Sequence, residues 1–228
     1  MPILVLIPTR PNMPAELSYR SYEAERCMKE ACNHIDVVRD FRDAGVPEAV
    51  RGAGGLASQQ ERQAGLAKLR NELVAQYLAP QHSHVLWIDA DIVVYDPLLP
   101  GKLVQKCSDG IIAPKVLTQG IKDRWHDLAG FVRDGKWAAE FPPYWEGIDA
   151  VTQPPAVVNM ESVGACYMVP ADVYRHGAQH SATEGFTEHA SVCRAAREGL
   201  NMHVWLWTEL AVFHVNDTGF HLNDTGKP

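Results

Sequence analysis

The chain has 228 residues, 46% of them hydrophobic and 21% charged, with a formal net charge of -7 and a pI near 5.8. That is enough apolar material for the core of one large α/β domain, and the acidic balance argues against a protein that grips long nucleic acid through an overall basic face. No run approaches the ~18 apolar residues of a membrane span, and Ile3–Ile7 is too short and lacks the basic leader of a signal peptide, so a cytoplasmic protein is expected.

The elements follow in order. Pro2–Pro8 is a continuous apolar run, the pattern of a parallel strand covered on both faces. Thr9–Pro14 is a loop, Ala15–Asn33 a helix, His34–Phe41 a second strand, and the Gly- and Ala-rich Gly45–Ser58 a mobile loop. Glu61–Leu78 has helical spacing at Leu66, Leu69, Leu73 and Tyr77. The strand that carries Asp89-Ala90-Asp91 follows immediately; Asp96-Pro97 breaks it before a short helix over Leu98–Lys106. Asp109–Val116 is a further buried strand. Thr118–Asp149 carries Trp125, Trp137, Tyr144 and Trp145 without regular periodicity, and so long an irregular insert suits an active-site element. Val163–Val169 reads as a strand, Pro170–His176 as a short helix, and Phe186–Glu198 as a helix stopped by Gly199. Met202–Trp207 and Leu210–Val215 read as two final strands, and 216–228 as a polar tail. The tail's Asn216 and Asn223 head Asn-x-Thr triplets that would accept glycans only in a secreted protein. Five scattered cysteines (Cys27, Cys32, Cys107, Cys166 and Cys193) are expected as free thiols.

Alternation of strands and helices predicts a mainly parallel α/β sheet in one domain over 1–228, with 1–116 and 117–215 as its two halves. Ligands of such sheets sit at the carboxyl ends of the strands, where Thr9-Arg10, Asp89–Asp91 and Lys115 are placed.

Asp89-Ala90-Asp91 is the most informative feature. Two carboxylates stand between apolar runs, Val85–Ile88 and Ile92–Tyr95, where burial is costly unless a cation or hydrogen bonds compensate them. Asp-x-Asp is commonly a pair of solvated turn residues; the apolar flanks argue against that here. At strand spacing both side chains share a face and can converge on one hard divalent ion, Mn2+ or Mg2+, which leaves coordination sites for a diphosphate.

The set Lys68-Leu69-Arg70-Asn71-Glu72, LWIDADI (Leu86–Ile92), DGIIAPKV (Asp109–Val116), WHDL (Trp125–Leu128), VGACYMVPADVYRHG (Val163–Gly177), TEGFTEHASVCRAAREG (Thr183–Gly199) and VFHV (Val212–Val215) resembles, in order and spacing, the GT-A glycosyltransferases. Within them it is similar to the fungal Golgi mannosyltransferases of the mannan-polymerase type. The resemblance implies a GT-A fold and a metal-dependent transfer of a hexose from a UDP- or GDP-sugar to a hydroxyl, with retention of configuration. It implies Asp89 on the donor and the metal, and Asp91 and His214 as metal ligands. His214 read by itself is equally a hydrogen-bonded core residue. In the GT-A enzymes a carboxylate near Thr183–His189 serves the acceptor, which points to Glu184 or Glu188 as the catalytic group. Glu188 alternatively complements a helix N-terminus.

Arg70 could pair with a donor phosphate or with Asp89, and Asn71 lies beside it. Thr9 and Arg10 lie where such folds seat the nucleotide base; Lys115 could neutralise diphosphate; Gly164 and Ala165 could let the sugar approach the backbone. Trp125, His126 and Asp127 could shape an acceptor pocket, or Trp125 could be a core residue. Carbohydrate, lipid and a hydroxymethylated DNA base, as in phage-type DNA glycosyltransferases, are all possible acceptors, and a nucleotide-sugar-binding module without turnover is the non-enzymatic alternative. A nucleotidyltransferase would need a Gly-rich, Lys-containing loop after the first strand, which Thr9–Pro14 does not supply.

Overall fold

Strands made of unbroken apolar runs need cover on both faces, and helices between them provide it. The structure, a computed structural model, describes residues 2–42, 56–120, 125–126, 130–137, 157–182 and 187–215. Glu184, Asp127, Tyr144, Trp145 and the tail from Asn216 onward lie outside these.

β1 (Ile3–Pro8) pairs in parallel with β2 (Ile35–Asp40) on one side and with β3 (His84–Ile88) on the other. Parallel neighbours require crossover connections, supplied here by α1 (Ala15–Ala31) and α2 (Leu56–Tyr77). α1 buries Leu17, Ser21, Glu25 and Met28, a stripe at three- and four-residue spacing, and carries Glu16 in its first turn and Lys29 in its last, each favourable to the helix dipole. α2 begins at Leu56, so the last residues of the expected glycine-rich loop are helical. α3 (Leu99–Lys106) leads into β5 (Ile111–Thr118).

With β4 at Ile92–Val94, β9 at Cys166–Pro170 and β10 at Val204–His214, the eight-stranded sheet runs β2-β1-β3-β9-β5-β10-β4, with β8 (Val157–Asn159) also on β10. β2, β1, β3, β5 and β10 share one direction, which is the expected α/β GT-A class of mostly parallel sheet flanked by helices. The exception is β9 (Cys166–Pro170), inserted antiparallel between β3 and β5, so Val85 faces Val169 and Ile88 faces Cys166. After β9 come α4 (Ala171–Arg175), α5 (Glu188–Arg194) and a π-helical turn over Ala195–Gly199. The two strands expected at the end are one, β10 (Val204–His214). A register shift between Trp207 and Ala211 absorbs the residues that look like a loop in the sequence. Within the expected insert, β6 (Val132–Arg133) and β7 (Lys136–Trp137) form a hairpin around Asp134 and Gly135, whose φ of 52 and 71 suit an Asp-Gly type I′ turn.

Gly110, at the entry to β5, lies against the backbone: an added Cβ would meet the His203 carbonyl oxygen at 2.7 Å. The same carbonyl accepts the Ile111 N–H at 2.9 Å, so it cannot withdraw without breaking the β5–β10 register. Gly110→Ala is expected to destabilise the fold by about 1–3 kcal/mol in urea denaturation; unchanged stability would refute the tight approach.

Candidate active site

β3 stops at Ile88, and the aspartates follow it in a turn, closed by an Ile92 N–H donating to the Asp89 carbonyl at 2.9 Å. The expectation that strand periodicity aims both carboxylates at one object is corrected by this turn. Asp89 Oδ1 accepts from Arg70 Nη2 at 2.6 Å, whereas Asp91 Oδ2 lies 3.0 Å from His214 Nε2. β4 (Ile92–Val94) secures the second contact by pairing antiparallel with the end of β10, Ile92 opposite His214, and Val215 N–H donates to the Asp91 carbonyl at 2.9 Å.

Arg70 is fully buried on α2. Its Nε reaches Glu188 Oε1 at 3.4 Å, its guanidinium sits 4.9 Å from the Trp87 ring centroid, and its buried Nη1 has no hydrogen-bond partner among the described residues. Burial opposes the charge, but Asp89 and Glu188 outweigh it and keep the guanidinium protonated. Glu188, in the first turn of α5, is itself buried in this pair, with His189 Nε2 3.4 Å away. Asp89 N–H donates to the Ala165 carbonyl at 3.0 Å. Ala165 has φ 57, and Cys166 N–H closes on the Gly164 carbonyl at 2.6 Å around it, a strained backbone directly behind Asp89.

A polar chain continues inward, and the sequence reading missed it. The Tyr167 hydroxyl lies 2.8 Å from His180 Nε2 and 3.1 Å from His189 Nδ1. Asn71 turns away from the aspartates: its Nδ2 donates to the His180 carbonyl at 2.9 Å and its Oδ1 accepts the His180 N–H at 2.8 Å. Burial, then the Arg70 charge, pushes His180 well below its ordinary 6.5 and His189 down to about 3. The available signal was Tyr167, a polar side chain inside the otherwise apolar run 163–169.

On the other side, burial works against ionisation of Asp91, but the His214 hydrogen bond and the nearby His214 and His126 outweigh it and hold the carboxyl below its usual range. Asp91 Oδ1 is buried with no hydrogen-bond partner among the described residues. His126 stacks on His214 with ring centroids 3.3 Å apart, and burial, with His214 next, lowers it to about 4. Its neighbour Trp125 is a core residue packed edge-on against Phe131.

Thr9 is buried at the end of β1, its hydroxyl donating to the Ile7 carbonyl at 3.2 Å and accepting from Arg39 Nη1 at 3.2 Å; Arg10 follows it, exposed. Lys115 is mid-strand in β5 beside the β10 bulge, not at a carboxyl end. Among the described residues no group of three His, Cys, Asp or Glu is placed to hold a metal, because Asp89 is turned to Arg70. Asp91 and His214 do fit a shared cation: ligands at a right angle with bonds of ~2.0–2.2 Å lie ~3 Å apart, and Asp91 keeps an unused oxygen.

The profile of the Anp1 family matches residues 9–140, more than half of the chain. The chain belongs to the Anp1 family. The Anp1 match takes in Thr9, Arg70, Asp89, Asp91 and His126 and ends before Glu188 and His214. The mannan polymerase complex subunit mnn9 of Schizosaccharomyces pombe is 29% identical over 145 residues, which is 54% of this chain and 43% of that protein. Solved structures with a similar fold include a mycobacterial protein (TM-score 0.49, 12% identity, 97% of this chain and 70% of that one) and S. aureus TarS 1–349 (0.44, 10%, 97% and 62%). A glycosyltransferase involved in glycosylation of the major capsid of PBCV-1 is similar at TM-score 0.36 and 10% identity, over 77% of this chain and 63% of that one. At such scores these structures say nothing of substrate.

Two outcomes follow from the geometry. Arg70→Leu strands the buried Glu188 carboxylate and the half-buried Asp89 and is expected to cost about 3–5 kcal/mol of unfolding free energy, with Arg70→Lys intermediate; a neutral Arg70→Leu would show that the pairs do not hold the fold. His189 takes up a proton near its ordinary 6.5 when unfolded but only near 3 when folded. The unfolded state therefore binds the extra proton between these limits, so stability is full above 6.5 and falls with pH below it. The slope attributable to His189 is up to about 1.4 kcal/mol per pH unit, and urea titrations of His189→Gln between pH 7 and 5 should be shallower by that amount.

Proposed function

We propose that this protein is a metal-dependent glycosyltransferase that moves a hexose from a UDP- or GDP-sugar to a hydroxyl acceptor. The observation that carries the reading is the Asp91–His214 pair, with a carboxylate oxygen unpartnered among the described residues, just past the carboxyl end of β3 in an Anp1-family chain. That is where an α/β sheet receives ligands.

Asp91 and His214 are the residues that would hold Mn2+ or Mg2+, and the bound ion would supply positive charge against the leaving nucleoside diphosphate. The rest is done by this chain's own groups. Arg70 fixes the Asp89 carboxylate, which would then meet the donor. Its buried Nη1 has a donor N–H left for a sugar or phosphate oxygen. Glu188 is spent on Arg70 and shielded from solvent, so its role here is positioning, not proton transfer from the acceptor. His126 backs His214 and fixes its ring plane. The fission-yeast relative is a mannan polymerase complex subunit, which favours mannose as the sugar and a growing glycan as the acceptor.

A thermal-shift screen of UDP- and GDP-sugars with and without Mn2+ tests this. A donor that binds only the folded state stabilises it, by ~2.7 kcal/mol at a hundred times its Kd. One donor is expected to raise Tm only when Mn2+ is present, and Asp91→Asn should weaken that donor at least about tenfold. Equal stabilisation of wild type and Asp91→Asn would sink the reading. Transfer to an acceptor, followed by mass spectrometry, separates an enzyme from a module that only binds.

A further inference from the structure

Three residues before Ala165, the loop entering β9 meets α5 and the π-helical turn around a pocket of about 190 Å3. Arg194, Arg197 and Glu198 line it from the helical side, Glu161 and Ser162 from the loop, and the formal charges of these residues sum to zero. Ser162 is 2% exposed. The Arg197 Nε is buried with no hydrogen-bond partner among the described residues, and the buried Ser162 Oγ lies against the Cys193 thiol. Native proteins leave few such atoms unsatisfied, and those that remain call for an explanation. Arg197 and Glu198 also sit on a π-helical turn, a distortion frequent at functional sites.

We propose that this pocket binds one neutral hexose ring of the acceptor glycan, set back from the point of transfer; the inference rests on the glycosyltransferase reading above. A free anion would call for a lining of net positive charge, which is lacking. Two guanidiniums and two carboxylates at zero net charge instead match a ligand that donates and accepts at adjacent positions, as the vicinal hydroxyls of a pyranose do. One such hydroxyl can accept from Arg197 Nε, and another can exchange a hydrogen bond with Ser162 Oγ. The volume lies below the ~300–1,000 Å3 of drug-sized sites, which suits a single ring and not a nucleotide. At a helical rise of 1.5 Å per residue, Arg194 lies about 9 Å beyond Glu188 along α5. A ring held there belongs further back on the acceptor chain than the sugar that receives the hexose.

The test titrates the full chain with mannotriose, maltotriose, cellotriose and inorganic phosphate by saturation-transfer NMR and calorimetry. At least one trisaccharide should bind and phosphate should not. Ser162→Ala and Arg197→Met should each weaken the trisaccharide about tenfold or more, the scale of a lost hydrogen bond to a buried or charged group. Arg194 is exposed, so Arg194→Ala probes the pocket without threatening the fold, and it should weaken binding severalfold. In all three variants the Mn2+-dependent donor shift should be unchanged. No trisaccharide binding to the wild type, equal binding by Arg194→Ala and Arg197→Met, or phosphate in place of sugar each overturns the proposal. A wild type that binds trisaccharide but shows no donor shift supports the pocket and overturns the donor site instead.

Discussion

A single buried guanidinium ties together the elements on which the site depends. Arg70 on α2 reaches the turn after β3 through Asp89, 19 residues on, and the start of α5 through Glu188, 118 residues on. Removing an arginine from water is expensive, and its cost is offset only because two carboxylates and the Trp87 face surround it. The pairs therefore act less as a source of net stability than as a specification: α5 must dock where Glu188 can meet Arg70, and the aspartate turn must present Asp89 to the same point. Ala165, with its strained φ of 57, is held in this arrangement through the carbonyl that accepts the Asp89 N–H.

The same charge divides the site's histidines. His180 and His189 lie near Arg70 in a buried chain with Tyr167, and a nearby positive charge adds to burial in keeping both imidazoles neutral. They fill the interior with hydrogen bonds without adding charge to it. His214 and His126 lie at the other end, next to Asp91, stacked in parallel. An imidazole nitrogen beside a carboxylate is the donor set that a borderline divalent ion takes.

What could be read from the sequence was what depends on local pattern. Unbroken apolar runs marked β1, β3 and β5 because a parallel strand must be apolar on both faces, and four leucine and tyrosine positions marked α2. The direction of β9 was not legible, since a five-residue apolar segment reads the same in either sense and only its pairing with β3 decides. Nor was the continuity of β10, whose bulge at Thr208–Leu210 looks like a loop when taken as a string. Apolar runs on both sides of Asp-Ala-Asp suggested one strand; β3 and β4 are instead two strands joined by a turn, paired with β9 and β10 respectively. The contacts that make the site, Arg70 with Glu188 and Asp91 with His214, span more than a hundred residues each and leave no spacing signature.

The turn gives the two aspartates unequal freedom, and that inequality orders the events of ligand binding. Recruiting Asp89 to a cation would remove the closest partner of a buried arginine, a loss on the order of 3–5 kcal/mol by analogy with broken buried pairs. Asp91 is under no such constraint: its side chain is 39% exposed, one oxygen is unpartnered among the described residues, and its companion His214 is already at ligand spacing. Under the reading proposed above, a cation would therefore meet Asp91 and His214 first. Asp89 can follow only if something anionic, such as a donor diphosphate, takes over Arg70, whose unpartnered Nη1 is placed to begin that exchange.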